Sequence, residues 1–177
     1  MATPYDAAAR AVCDRLRVVL SEGALALYDG DPVRAPVVSF GIGPSRPPFL
    51  VWVNPLARSV STSGSATSHE YSTAFSIFVY LMATHADLDE AVRNVNTWLN
   101  SAYMGIAAEA TLGRSVDCAV PRISDSGYDT TPDKKHVVAA ELEVACKGRL
   151  GMPARVQGAD RKCPSKARLT RPSRTPA

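Results

Sequence analysis

The sequence predicts an α+β domain: an antiparallel sheet of four or more strands with two helices, one of them long, amphipathic and packed on the sheet. Three observations predict it. Ser68–Met82 alternates as a strand, with Tyr71, Thr73, Phe75, Ile77, Val79 and Leu81 on one face and Ser72, Ala74, Ser76, Phe78, Tyr80 and Met82 on the other. Leu88, Ala91, Val92, Val95, Trp98, Leu99, Ala102 and Ile106 recur at three- and four-residue steps, the stripe of an amphipathic helix. His136–Cys146 alternates again, with Val138, Ala140, Leu142, Val144 and Cys146 set against Val137, Ala139, Glu141, Glu143 and Ala145.

From the N-terminus, Thr3 is an N-cap and Pro4 a first helical residue, so a helix is expected over Pro4–Leu20. Val12, Leu16, Val19 and Leu20 form its apolar stripe. A short strand is expected at Ala24–Tyr28, a turn at Asp29–Pro32, and strands at Pro36–Phe40 and Phe49–Val53, with the irregular Gly41–Pro48 between the last two. Pro55 closes the second of these strands. Ser59–Ser68 has the composition of a flexible hairpin tip that can order against a partner.

The end of the long strand is apolar on both faces. Phe78 and Tyr80 therefore read either as core or as part of a subunit interface. The long helix starts at Asp87, with Glu90 completing a capping box, and stops at Gly105 or Gly113. Trp98 is its anchor on the sheet. A strand over Arg114–Ile123 places Val116, Cys118 and Val120 on one face, and Pro121–Lys135 reads as a long loop.

The 177 residues suffice for one domain with a real core, and a hydrophobic content of 46% excludes a wholly disordered chain. No apolar run reaches the roughly 18–20 residues of a membrane span, and no secretory leader is visible at the N-terminus. The four cysteines, Cys13, Cys118, Cys146 and Cys163, form no C-x-x-C; Cys118 and Cys146 are expected to be reduced and core-facing, with a disulfide between them the alternative if their strands pair. The net charge of +3 conceals a split. After Cys146 there are nine basic residues and one acid, net +8, which leaves 11 basic against 16 acidic residues, net −5, before it. Residues 1–147 are accordingly read as the folded domain and 148–177 as a basic, flexible tail.

No catalytic, metal or cofactor motif emerges. His69, His85 and His136 lack partners at ligand spacing. Asp125, Asp129 and Asp133 do not have the spacing of a calcium loop. Gly41-Ile42-Gly43 opens no helix, so a nucleotide loop is not supported. No enzymatic activity and no cofactor are expected. Arg155, Arg161, Lys162, Lys166 and Arg168 are candidate phosphate contacts. No aromatic residue follows Tyr128, so the tail offers no base stacking.

HEYSTAFSIFVYLMA (His69–Ala83), LDEAVRNVNTWL (Leu88–Leu99) and SDSGYDTTPDKKHVVAAELEVAC (Ser124–Cys146) carry a family likeness. Over roughly Thr3–Cys146 the chain resembles the tail completion and tail terminator proteins of long-tailed bacteriophages. The resemblance implies an α+β subunit of a virion that assembles as a hexameric ring. Such a ring caps the tail tube, ends its polymerisation and joins tail to head, with DNA crossing the lumen without sequence readout. The implied partners are further copies of the chain, the tail tube protein and a neck or head-completion protein. A neck position is the nearer alternative, and a nucleic-acid-binding protein using the basic tail is the alternative of another class. The expected interface residues are Ser61, Thr62, Ser63, Phe78, Tyr80, Arg114, Arg122, Tyr128, Asp129, Glu141 and Glu143.

Overall fold

The computed structural model describes residues 4–25, 33–41, 47–65 and 70–149. Their elements run α1 (Pro4–Val19), α2 (Glu22–Leu25), β1 (Val37–Phe40), β2 (Phe49–Val53), β3 (Arg58–Ser65), β4 (Glu70–His85), α3 (Leu88–Ala108), β5 (Cys118–Thr130) and β6 (His136–Arg149). The fold is α+β, with a six-stranded sheet in the order β1-β2-β4-β6-β5. Off this path, β3 pairs with the first half of β4, alongside β2. The sheet is mixed rather than antiparallel throughout, because β1 runs parallel to β2. Strand direction is not written in two short apolar runs; the path between them sets it.

The core lies between one face of this sheet and the helices. Phe75, Ile77, Val79, Leu81 and Ala83 of β4 share it with Val138, Ala140, Leu142 and Val144 of β6. Ala8, Ala9, Val12, Leu16 and Leu20 from the α1 region and Ala91, Val95, Trp98, Ala102 and Ile106 of α3 close it from above. The N-terminal helix therefore buries the stripe expected of it, with its edge residue Val19 half-buried. The cap expected at Thr3 lies outside the described residues. Residues 22–25 are a turn of helix, α2, where a strand was expected from Ala24; the rest of that expected strand also lies outside the described residues.

Asp87 caps α3 by accepting hydrogen bonds from the N–H groups of Asp89 at 2.8 Å and Glu90 at 3.3 Å. Only half of the expected capping box forms. Glu90 turns instead toward His85 Nε2 at 3.5 Å and Arg34 Nε at 3.6 Å, and the Asp87 N–H donates to His85 Nδ1. The Trp98 indole N–H donates to the Arg34 carbonyl at 2.8 Å, and Asn94 Oδ1 accepts from the Arg34 N–H at 3.1 Å. The extended segment ahead of β1 is thus tied to the helix at both of Arg34's backbone groups.

Gly105 does not end α3, which continues to Ala108 with Glu109 as C-cap. The glycine marks the crossing with α1. A Cβ at this position would sit 2.7 Å from Val19 Cγ1, and Arg15 Nε donates to the Gly105 carbonyl at 3.0 Å. Valine is stiff about χ1 in a helix, so Gly105→Ala forces the helices apart. The expected cost is about 1–3 kcal/mol, set against the roughly 1 kcal/mol that alanine gains over glycine as a helix former. Adding Val19→Ala relieves it. Urea denaturation of the single and double variants checks this; equal losses in both would remove the contact as the cause.

Gly113 stands in the turn after α3, where Leu112, Gly113 and Arg114 all adopt positive φ, at 46°, 64° and 72°. The strand expected from Arg114 begins only at Cys118, and it runs to Thr130. Most of the expected 121–135 loop is thus strand, with a tight turn left at 131–135. Likewise the expected loop at 59–68 is largely strand β3, whose composition hides its pairing with β4; residues 66–69 lie outside the described residues. β6 continues two residues past the expected domain boundary at 147, to Arg149.

Candidate subunit interface

Both long helices pack on one face of the sheet, and among the described residues none packs on the other. Register fixes what that outer face carries. One row crosses Trp52 of β2, Tyr80 of β4, Glu141 of β6 and Asp125 of β5. The next holds Leu50, Met82, Ala139 and Gly127. On the other side of the first row, Phe78, Glu143 and Arg122 align.

Phe78 and Tyr80 are half-buried on this face and do not enter the core. Tyr80 stacks on Trp52 at 5.0 Å between ring centroids, tilted by 21°. The Arg58 guanidinium lies 4.9 Å from the centre of the Phe78 ring. Partial burial pushes the Tyr80 phenol above its ordinary pKa, and the Glu141 carboxylate adds to the effect. Ser76 donates its hydroxyl to Glu143. The face is therefore an aromatic strip with arginines, residue types enriched at interfaces, and it is flanked by carboxylates.

Of the other expected interface residues, Arg122 and Tyr128 belong to β5, with Tyr128 75% exposed. Asp129 is exposed beside it. Ser61, Thr62 and Ser63 are exposed on β3, where Ser63 Oγ meets Ser72 Oγ at 2.9 Å. Arg114 lies in the turn ahead of β5; register places Arg122, not Arg114, opposite Glu143. The structure therefore brings Phe78, Tyr80, Glu141, Glu143 and Arg122 together and leaves Ser61, Thr62, Ser63, Arg114, Tyr128 and Asp129 off that patch. Trp52 and Arg58 join the patch without having been singled out. Trp52 sits in an apolar run that reads as buried, and only its register with Tyr80 reveals its face. The candidate phosphate contacts Arg155, Arg161, Lys162, Lys166 and Arg168 lie outside the described residues.

β5 also corrects a facing assignment. Ala119 and Pro121 are buried, so Cys118 and Val120 point the other way. Cys118 is disulfide-bonded, contrary to the reduced state expected of it. Cys146 is a free thiol in the core, and burial pushes its pKa up to about 12. A thiol so protonated is a poor nucleophile. Cys13 is also free and buried. Among the described residues no three His, Cys, Asp or Glu side chains gather as a metal site. No described helix is long and apolar enough to cross a membrane. A hollow lined by Arg10, Cys13, Asp14, Arg17 and Phe40 measures about 100 Å³, well under the roughly 300–1,000 Å³ of ligand pockets.

No family model matches the chain, and no curated protein does. Among solved structures, a chain from "Virion of native gene transfer agent (GTA) particle" is similar at a TM-score of 0.40 and 12% identity, covering 79% of this chain and 94% of that one. A likeness that distant carries no argument about function.

Proposed function

We propose that the chain is a structural subunit of a phage-like virion, and that it acts as a tail terminator: a ring, of six copies, that caps the tail tube and joins it to the head. Its mechanism is binding rather than catalysis. The observation that carries the reading is the outer sheet face, where Trp52, Phe78 and Tyr80 form an aromatic strip outside the core. Such a strip, opposite a separate helical layer, gives one subunit two unlike faces. Contacts between unlike faces are heterologous, and they close into rings when the rotation permits. The family resemblance of the three long segments is what supports a position at the end of the tail tube. Its neighbours would be the tail tube protein on one side and a neck or head-completion protein on the other, with DNA passing through.

Electron microscopy of particles assembled without this protein tests the role. Tails of uncontrolled length are expected, because only a terminator stops tube growth. Tails of normal length lying free of heads would contradict a terminator and favour the neck position. The residues on which the nucleic-acid reading rests, Arg155, Arg161, Lys162, Lys166 and Arg168, lie outside the described residues.

A further inference from the structure

Among the described residues β5 is the last strand on its side of the sheet, and its residues from Arg122 to Thr130 are exposed. The Thr131 N–H donates to the Lys135 carbonyl at 2.8 Å and closes the β5–β6 hairpin. Antiparallel pairs alternate between bonded and non-bonded. Counted back from that closing pair, Asp129–Val137, Gly127–Ala139 and Asp125–Glu141 are the bonded pairs. The N–H and C=O groups of Thr130, Tyr128 and Ser126 therefore point away from β6, to the free edge. Two of these three N–H groups are already engaged. Asp125 Oδ1 accepts from the Ser126 N–H at 2.7 Å, and Asp129 Oδ1 accepts from the Thr130 N–H at 2.7 Å.

We propose that the outer edge of β5 is a strand-addition surface for β1 of a second copy, held closed in the free subunit by the side chains of Asp125 and Asp129. A long edge strand is a template for pairing, and proteins guard such edges with proline, lysine or bulges. In β5 those guards stand at the root: Pro121, and the bulge between Ile123 and Asp125. Beyond the bulge the strand has neither proline nor lysine, and the two aspartates occupy its donors instead. Side chains that bond neighbouring backbone compete directly with a ladder.

Three observations favour β1 as the occupant. Register across the sheet runs Val37, Leu50, Met82, Ala139, Gly127, so β1 stands level with the exposed half of β5. β1 ends the sheet on the opposite side and runs opposite to β5, so a second copy docks antiparallel and continues the same sheet. β1 is Val-Val-Ser-Phe, without charge, whereas β5 against β5 about Gly127 would set Asp125 against Asp129, and like charges directly opposite destabilise a pair. The choice of a second copy rests on the ring reading; the closed edge does not.

Sedimentation velocity of the full chain tests the caps. Asp125→Ala with Asp129→Ala is expected to strengthen self-association at least tenfold, while Asp125→Asn with Asp129→Asn keeps an oxygen acceptor at each site and stays as weakly associated as the parent. No added association in the alanine pair would overturn the proposal, and so would equal association in the asparagine pair, which would assign the effect to charge. Tyr128→Pro deletes an outward N–H without touching the ladder to β6, and in the alanine background it is expected to restore the parent's behaviour. Thiol cross-linking names the occupant independently of folding changes. Val37 is exposed and a side chain at Gly127 meets nothing within 4 Å, so Val37→Cys mixed with Gly127→Cys is expected to give a mixed dimer. Cross-links only between Gly127→Cys copies would overturn the β1 assignment. Normal rings on tails, from an alanine pair that gains no association in solution, would leave the ring reading standing and remove this one.

Discussion

Trp98→Ala lowers the unfolding free energy by about 3–5 kcal/mol, the range of large aromatic truncations in a core. Trp98 is fully buried, and its ring meets Phe49 edge-on with 6.0 Å between centroids. Truncation leaves a cavity between α3 and the sheet and also orphans the Arg34 carbonyl, which accepts from the indole. Trp98→Phe separates the two effects: it keeps much of the ring and loses the bond, for about 1–3 kcal/mol. Urea melts of both variants give the numbers. A loss under about 1 kcal/mol for the alanine variant would be incompatible with the burial described.

If the proposed ring forms through this face, Tyr80→Asp is expected to abolish its assembly while the domain still folds, and Phe78→Asp to do the same. Truncating a central aromatic anchor typically costs about 2–4 kcal/mol of binding, and here a charge replaces it beside Glu141 or Glu143. The folding penalty is smaller, because both residues are half-buried on the outer face and a like-charge cross-strand pair costs about 0.2–1 kcal/mol. Tyr80→Phe preserves the stack on Trp52 and is expected to assemble. Circular dichroism establishes the fold, and electron microscopy the rings. Normal rings and tails from a folded Tyr80→Asp protein would remove the outer face from the assembly mechanism.

Periodicity exposed the parts of this fold that one buried face dictates. β4 and α3 must each hide a stripe, so their residues announce the spacing, and Trp98 was legible as the anchor for that reason. β3 and the far half of β5 were not legible as strands. Neither buries a face: RSVSTSGS and the run from Arg122 to Thr130 hold their conformation by backbone pairing, which leaves no hydrophobic trace. The parallel β1–β2 pair was missed for a related reason, since direction belongs to the chain path and not to side chains. Phe78, Tyr80, Glu141 and Glu143 could be placed on one face from alternation alone. Joining Trp52 and Arg58 to them required knowing which strands are neighbours. The role of Asp125 and Asp129 as edge caps depends on the phase of the hairpin bonds, which no composition reveals.

The place of β6 has a consequence for synthesis. It is the last element of the described chain, yet it lies inside the sheet, between β4 and β5, and pairs with β4 from Ser72↔Arg149 to His85↔His136. A nascent chain emerging N-terminus first can form α1, the β2–β4 pairing and α3 early. One flank of β4 then waits as a bare edge until His136–Arg149 has been made. Of the two pairings of β6 only that with β5 is local; its insertion beside β4 closes a loop of at least the 50 residues between His85 and His136 and must bear that entropy before its contacts form. Chains truncated before His136 are therefore expected to stay incompletely folded and prone to pairing through β4, so the sheet closes only once nearly all of the described chain has been translated.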